Sequence, residues 1–361
     1  MHMKKKKVYL TLQSGDVFEG YRFGASGTVI GELVFSTGMV GYVEDITDTA
    51  NYGQLIVRTF PLVGNYGVAR TDAQSEKAWA SALIVREWCD APSNFRMETT
   101  LDEYLKEKGV VGIYGVDTRQ LTKILREYGA MNAKISDKPA LEDMDDITEY
   151  AVKEAVKTVA PTQIEYYGDD NAKYTVALWN FGAKKNTIND LVKRGCRVIS
   201  VPAFSKSEEI LALGADGIVL SDGPGDPMEV ASIAKEIKKV VGKVPVFGVG
   251  LGHQLLAMSF GAQTIKQKYG HRGSNQPVKC VADGQVYIST QNHGFEVDTD
   301  TLTTGKISFV NVNDGSCEGI DYADYKAFSV QFETASCVIG NLENPLYKKF
   351  FTLMTKEKDN A

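Results

Sequence analysis

Histidine is scarce. His2, His253, His271 and His293 are the only four in 361 residues. No two of them stand at i, i+3 or i+4, the spacing that puts two imidazoles on one helix face, so no metal site is expected. No pair among the five cysteines (Cys89, Cys196, Cys280, Cys317 and Cys337) has C-x-x-C spacing, and an odd count cannot close into a full set of disulfides. Reduced thiols in a cytoplasmic chain are the expected state. No apolar run approaches the roughly 18 residues that a membrane span needs. The net charge is −6 with the two signs interspersed, which disfavours nucleic acid as a partner, and none is expected. The basic start, Met1 to Leu10, lacks the apolar segment of a signal peptide.

What is present is a soluble globular composition long enough for two domains, each able to bury a core without disulfide or metal. The most informative stretch runs from Val244 to Leu256. It opens as an apolar strand, Val244 to Val249, and continues from His253 as a helix with Leu255, Leu256, Met258 and Ala262 to bury. Between the two lie Gly248, Gly250 and Gly252. A sharp strand-to-helix turn needs residues that accept positive φ and close backbone approach. In hydrolases such a turn presents a nucleophile at its centre. Here the centre is Gly250, which has no side chain to attack with. A dinucleotide-binding G-x-G-x-x-G fails on spacing, because its third glycine would fall on His253.

The first half reads as an α+β domain. Lys7 to Leu12 and Val17 to Phe23 alternate around Ser14-Gly15-Asp16, a hairpin. Further strands are expected over 28–35, 52–60, 78–86 and 110–114, with a loop over Met39 to Asp48. Helices are expected over 101–108, over 118–128 between an Asp117 N-cap and a Gly129 C-cap, and over 145–157. The polar segment Glu165 to Asn171 reads as the linker. Beyond it strands (174–179, 197–202, 217–220, 244–249) alternate with helices (184–194, 206–213, 228–240). That alternation makes a parallel sheet with helices on both faces, and ligands bind beyond the carboxyl ends of its strands. The loop Ser221-Asp222-Gly223-Pro224-Gly225-Asp226-Pro227 sits at one such end, where its backbone N–H groups could stabilise an oxyanion. After Gly261 short alternating strands are expected.

The turn resembles the nucleophile elbow of class I glutamine amidotransferases, G-[VI]-C-L-G-H-Q, matching at every position but the cysteine. The 221–227 loop matches that family's S-x-G-P-G-D-P, and Lys268 to Val278 and Thr290 to Phe295 resemble its next two signatures, the Asn292-His293-Gly294-Phe295 turn being the one that reaches the glutamine backbone. The first half resembles the amino-terminal domain of the small subunit of carbamoyl-phosphate synthase. The carrying stretches are Gly31 to Met39, Gly41-Tyr42, Thr47-Asp48, Gly53-Gln54, Pro61 to Gly67, and Gly115 to Thr122 with Leu125-Arg126 and Gly129-Ala130-Met131. The resemblance implies an α/β protein in two parts: a small-subunit domain over 1–168 and a class I glutamine amidotransferase-like domain over 172–356. It implies a subunit that supplies ammonia to a large synthetase subunit for carbamoyl phosphate, in pyrimidine or arginine biosynthesis. ATP and magnesium would sit on that partner, with no cofactor in this chain.

The chain departs from the family at the chemistry. Gly250 replaces the nucleophile. Gln331-Phe332-Glu333-Thr334-Ala335-Ser336 stands where the family has Q-F-H-P-E-A, so Glu333 takes the place of the base and the orienting acid falls on Ala335. Ala50 replaces a serine that contacts glutamine in the family. No catalytic group is intact, although Cys337 offers a relocated thiol. The substrate positions Gly223, Gly225, Leu251, Gln254, Asn292, Gly294 and Phe295 match. The expectation is a subunit that does not hydrolyse glutamine but binds it weakly. The alternative is a glutamine-sensing or regulatory homologue. His271 and His293 are expected to make structural hydrogen bonds rather than act as bases.

Overall fold

A computed structural model describes residues 6–142, 144–334 and 344–360. They form two compact units. The first runs to Lys153 and takes in Lys268–Gly273; the second holds Glu154–Gln267 and continues from Ser274.

In the first unit the strands β1 (Lys7–Leu12), β2 (Val17–Gly24), β3 (Val29–Ser36), β4 (Gln54–Arg58), β6 (Ala82–Val85), β8 (Val111–Tyr114) and β9 (Met131–Ser136) close into a barrel, in the order β1-β2-β8-β6-β4-β3-β9. A short parallel pair, β5 (Leu62–Val63) with β7 (Glu87–Trp88), lies beside it in sequence. Strand alternation explains the core. Val8, Leu10 and Leu12 are fully buried on one face of β1, in a cluster with Leu33, Leu55, Ile84 and Ile113. The helix Thr118–Tyr128 adds Leu121 and Leu125 to this cluster, and the Asp117 carboxylate accepts the Gln120 N–H at 3.0 Å as its N-cap.

Two readings of this half are corrected. Met39 to Asp48 contains a helix, Tyr42–Thr47, that buries Tyr42, Val43 and Ile46. Its N-cap is Gly41, with no capping side chain, so the usual start signal is missing from the sequence. The single helix expected over 145–157 is two short ones, Met144–Thr148 and Ala155–Val159. The Asn132 side chain donates to the Tyr150 carbonyl at 2.7 Å, occupying an acceptor that a continuous helix would use internally.

The second unit is built on a ten-stranded sheet. Its strands are β10 (Glu165–Tyr167), β11 (Tyr174–Asn180), β12 (Cys196–Pro202), β13 (Gly217–Leu220), β14 (Val246–Val249), β15 (Thr264–Cys280), β16 (Val286–Val297), β17 (Lys306–Asn311), β18 (Cys317–Tyr322) and β19 (Ala327–Val330), in the order β10-β12-β11-β13-β14-β19-β18-β17-β15-β16. The run β12-β11-β13-β14-β19 is parallel. One face of the sheet packs Ile233, Ile237, Leu251 and Leu255, and the other packs Leu191, Leu346, Tyr347 and Phe350, so helices cover both faces. The segment 165–171 is not simply a linker: Glu165–Tyr167 pairs antiparallel with β12. Nor are the strands after Gly261 short, since β15 has 17 residues and β16 has 12. Among the described residues no helix is long and apolar enough to cross a membrane.

Candidate functional site

The carboxyl ends of β11, β13, β14 and β19 are neighbours in the parallel run, and each gives a loop to one site. At the end of β14 the chain turns at Gly250, with φ 55° and ψ −114°, and enters the helix Leu251–Ser259. The Gly250 N–H donates to the Val330 carbonyl at 3.0 Å, and the Gly252 N–H donates to the Ser221 carbonyl at 2.9 Å. These bonds tie the turn to the ends of β19 and β13. The flanking glycines are required by space. A Cβ on Gly248 would lie 2.7 Å from the Gly252 carbonyl oxygen, and one on Gly252 would lie 2.2 Å from that of Leu220. Gly250 is required by conformation as well, because an L side chain at that φ is strained, and its Cβ would stand 2.9 Å from Asp222 Cβ.

The loop after β13 is held from below by Ser221. This residue is fully buried, and its hydroxyl accepts the Phe181 N–H at 2.8 Å and donates to the Asp222 carbonyl at 2.6 Å. Gly223 fits where a Cβ would meet the Phe181 carbonyl oxygen at 2.7 Å and Leu251 Cδ2 at 2.9 Å. Gly225, at φ 89°, faces Ala155. Asp226 then caps the turn at Pro227–Val230 by accepting the Met228 N–H at 2.8 Å.

Gln254, buried on the elbow helix, donates its amide to the Phe295 carbonyl at 2.8 Å and to Gln331 Oε1 at 2.9 Å. His293 sets Nδ1 2.9 Å from the same Phe295 carbonyl and Nε2 2.9 Å from Gln291 Oε1. Its ring is thus engaged along its own strand. Asn292, Gly294 and Phe295 lie half-buried within β16, in extended backbone and not in the turn expected for them. His253 is fully buried with Nδ1 2.8 Å from Ser329 Oγ, and burial pushes its imidazole down to about 3. It is neutral at ordinary pH, and its ring belongs to the core.

The position of the expected base carries Glu333. Its backbone N–H donates to the Thr290 carbonyl at 3.0 Å, and its carboxylate takes the Lys184 ammonium at 2.6 Å. Lys184 is nearly buried and also lies 3.4 Å from Asp222 Oδ2. The sequence reading passed over Lys184 as the first residue of a helix. Its place just beyond the carboxyl end of β11 was the signal available, since that is where such sheets carry their functional groups. Ala335 and Cys337 lie outside the described residues. Ala50 belongs to the first unit, half-buried in the short turn Thr49–Asn51, where its N–H donates to Asp48 Oδ1 at 2.9 Å.

The arrangement has a glycine turn, a glycine-rich loop and buried amides, with a carboxylate–ammonium pair linking the loops that follow β11 and β19. Among the described residues, the apex of the elbow, Gly250, offers no side chain, and the Glu333 carboxylate is held by Lys184.

Residues 10–135 match the family described as carbamoyl-phosphate synthase small chain, CPSase domain, and residues 177–333 match glutamine amidotransferase class-I. The carbamoyl phosphate synthase small chain of Syntrophotalea carbinolica is 39% identical over 98% of this chain and 99% of its own length. The small chain of Bacillus anthracis is 41% identical, covering 98% of this chain and 97% of that one. That of Clostridium perfringens is 44% identical, covering 92% and 95%.

Proposed function

The chain belongs to the carbamoyl phosphate synthase small chain family, with a small-chain domain followed by a class I glutamine amidotransferase domain, and we propose that it serves as a subunit that does not hydrolyse glutamine and supports an ammonia-using synthetase. The observation that carries this reading is the pair of replacements at the elbow: Gly250 at its apex, and Glu333, bonded to Lys184, at the place of the base. Loss of the nucleophile in a comparable triad costs about 10⁶ in rate, which leaves binding and oxyanion donors as the only residual help. The partner is the large subunit. ATP and magnesium act there, and this chain needs neither.

A second reading has its own support. The 221–227 loop, the elbow glycines and Gln254 keep a tightly specified geometry although the chemistry is gone. A pocket so maintained fits a chain that binds glutamine weakly and reversibly, as a sensor or regulatory subunit. Reconstitution with the large subunit tests what both readings share, and saturable binding of glutamine to the chain separates the second from the first. On the first reading ammonia supports carbamoyl phosphate formation and glutamine does not. Glutamine-dependent synthesis at a rate comparable with ammonia would overturn both.

A further inference from the structure

Four of the loops at the site come from strands in a fixed order, β11-β13-β14-β19. Lys184 follows β11, Asp222 follows β13, Gly250 follows β14 and Glu333 follows β19. Neighbouring strands lie about 4.8 Å apart, so β11 and β19 are separated by three intervals, roughly 14 Å. The Lys184–Glu333 bond at 2.6 Å closes that gap, passing Asp222 at 3.4 Å on the way. The strands between are β13 and the elbow strand β14. Gly250 contributes no side chain at the apex, and a Cβ there would touch Asp222, the residue that Lys184 approaches at 3.4 Å.

We propose that Lys184 and Glu333 form a strap beyond the carboxyl ends of β13 and β14, beside the elbow, and that this strap sets the affinity of the pocket for glutamine. The proposal rests on the reading of this pocket as a glutamine site without its catalytic pair. The Lys184 side chain is 8% exposed and that of Glu333 33%, so neither is a freely solvated surface charge. A glutamine side chain directed at the elbow apex meets this bridge before it meets Gly250. Lys184 and Glu333 are positioning and specificity residues here, with no role in bond making.

The test introduces a reporter thiol. Gly250→Cys is compared with Gly250→Cys/Glu333→Ala and Gly250→Cys/Lys184→Met, following iodoacetamide alkylation of the peptide that carries residue 250 by mass spectrometry. Rates are divided by the thiolate fraction found from their pH dependence, so that a change in thiol acidity is not mistaken for access. With the strap in place the introduced thiol is shielded, and either opened variant should alkylate at least about ten-fold faster per thiolate. Rates within about two-fold across the three proteins would overturn the strap. Millimolar glutamine should slow alkylation in the opened variants. If it does not, while the rate increase stands, the glutamine-pocket reading fails and the strap survives. Should Gly250→Cys not fold, hydrogen–deuterium exchange of residues 221–226 in Glu333→Ala decides instead: exchange about ten-fold faster than in the unaltered chain is expected, and equal exchange refutes the strap.

Discussion

The side-chain amide of Gln254 is held between two oxygens, the Phe295 carbonyl at 2.8 Å and Gln331 Oε1 at 2.9 Å. This joins the elbow helix to β16 and to the residue that follows β19. The amide is committed to the fold before any substrate arrives. Gln254→Ala should therefore destabilise the chain by about 1–3 kcal/mol, because buried oxygens lose their donor. Denaturant unfolding measures this directly. A variant as stable as the parent would show that these bonds contribute nothing, and would return Gln254 to the set of purely substrate-binding residues.

Reactivation should require more than one change. Gly250→Cys supplies a thiol but no imidazole, and should show no glutaminase activity above the unaltered chain. It should also lose about 1–3 kcal/mol of stability, since a Cβ at φ 55° is strained and meets Asp222. Gly250→Cys with Glu333→His is the least combination expected to release ammonia from glutamine. Ammonia release by the single variant would mean that another group serves as base.

His253 gives the second unit a pH dependence. Its imidazole titrates near 6.5 when unfolded and about 3 when folded, the cause being burial. Between those values the unfolded chain holds a proton that the folded chain does not. The contribution is complete above pH 6.5 and is lost as the pH falls toward 3, with a slope of about 1.4 kcal/mol per pH unit from this one group. His253→Gln should flatten the profile of stability against pH by that slope. An unchanged profile in this variant would exclude His253 as its source.

Gly252 offers the most severe single test of the elbow. A methyl group there would sit 2.2 Å from the Leu220 carbonyl oxygen, and both partners are backbone, so no side chain can swing away. Gly252→Ala should cost more than about 4 kcal/mol or abolish folding of the second unit. Gly284→Ala, at φ 74° with nothing within 4 Å of its Cβ, reports the cost of conformation without crowding and should cost far less. Equal losses in the two would show that crowding against Leu220 is not what requires the glycine at 252.

The parts legible in the sequence were those set by local rules. The three elbow glycines announced a turn because backbone crowding leaves no alternative there. The alternation of strands and helices from Tyr174 to Val249 gave the parallel sheet because each element buries its own apolar face. Asp117 and Gly129 marked the ends of one helix correctly. What stayed hidden depends on distant partners. The helix Tyr42–Thr47 has no capping side chain, and its buried face lies in a cluster with distant residues such as Val34, Ile56 and Leu83 of the barrel strands. Between the two short helices the Tyr150 carbonyl takes the side chain of Asn132, 18 residues earlier. Glu333 could be read as a lost base, but its partner lies 149 residues earlier, and no periodicity points from one to the other.

The closure of the barrel has a kinetic meaning. β1 is hydrogen-bonded to β2 on one side and to β9 on the other, with Tyr9 opposite both Glu19 and Ser136. The hairpin partner is available within a few residues, whereas the second partner emerges from the ribosome only after more than a hundred have been added. Until Met131–Ser136 is made, β1 and β3 each present an unpaired edge, the kind of surface that pairs with other chains. β9 fills both edges at once. The slow, long-range step of folding in this unit should therefore be the arrival of its last strand, and an arrest of synthesis before residue 131 should leave a chain prone to self-association.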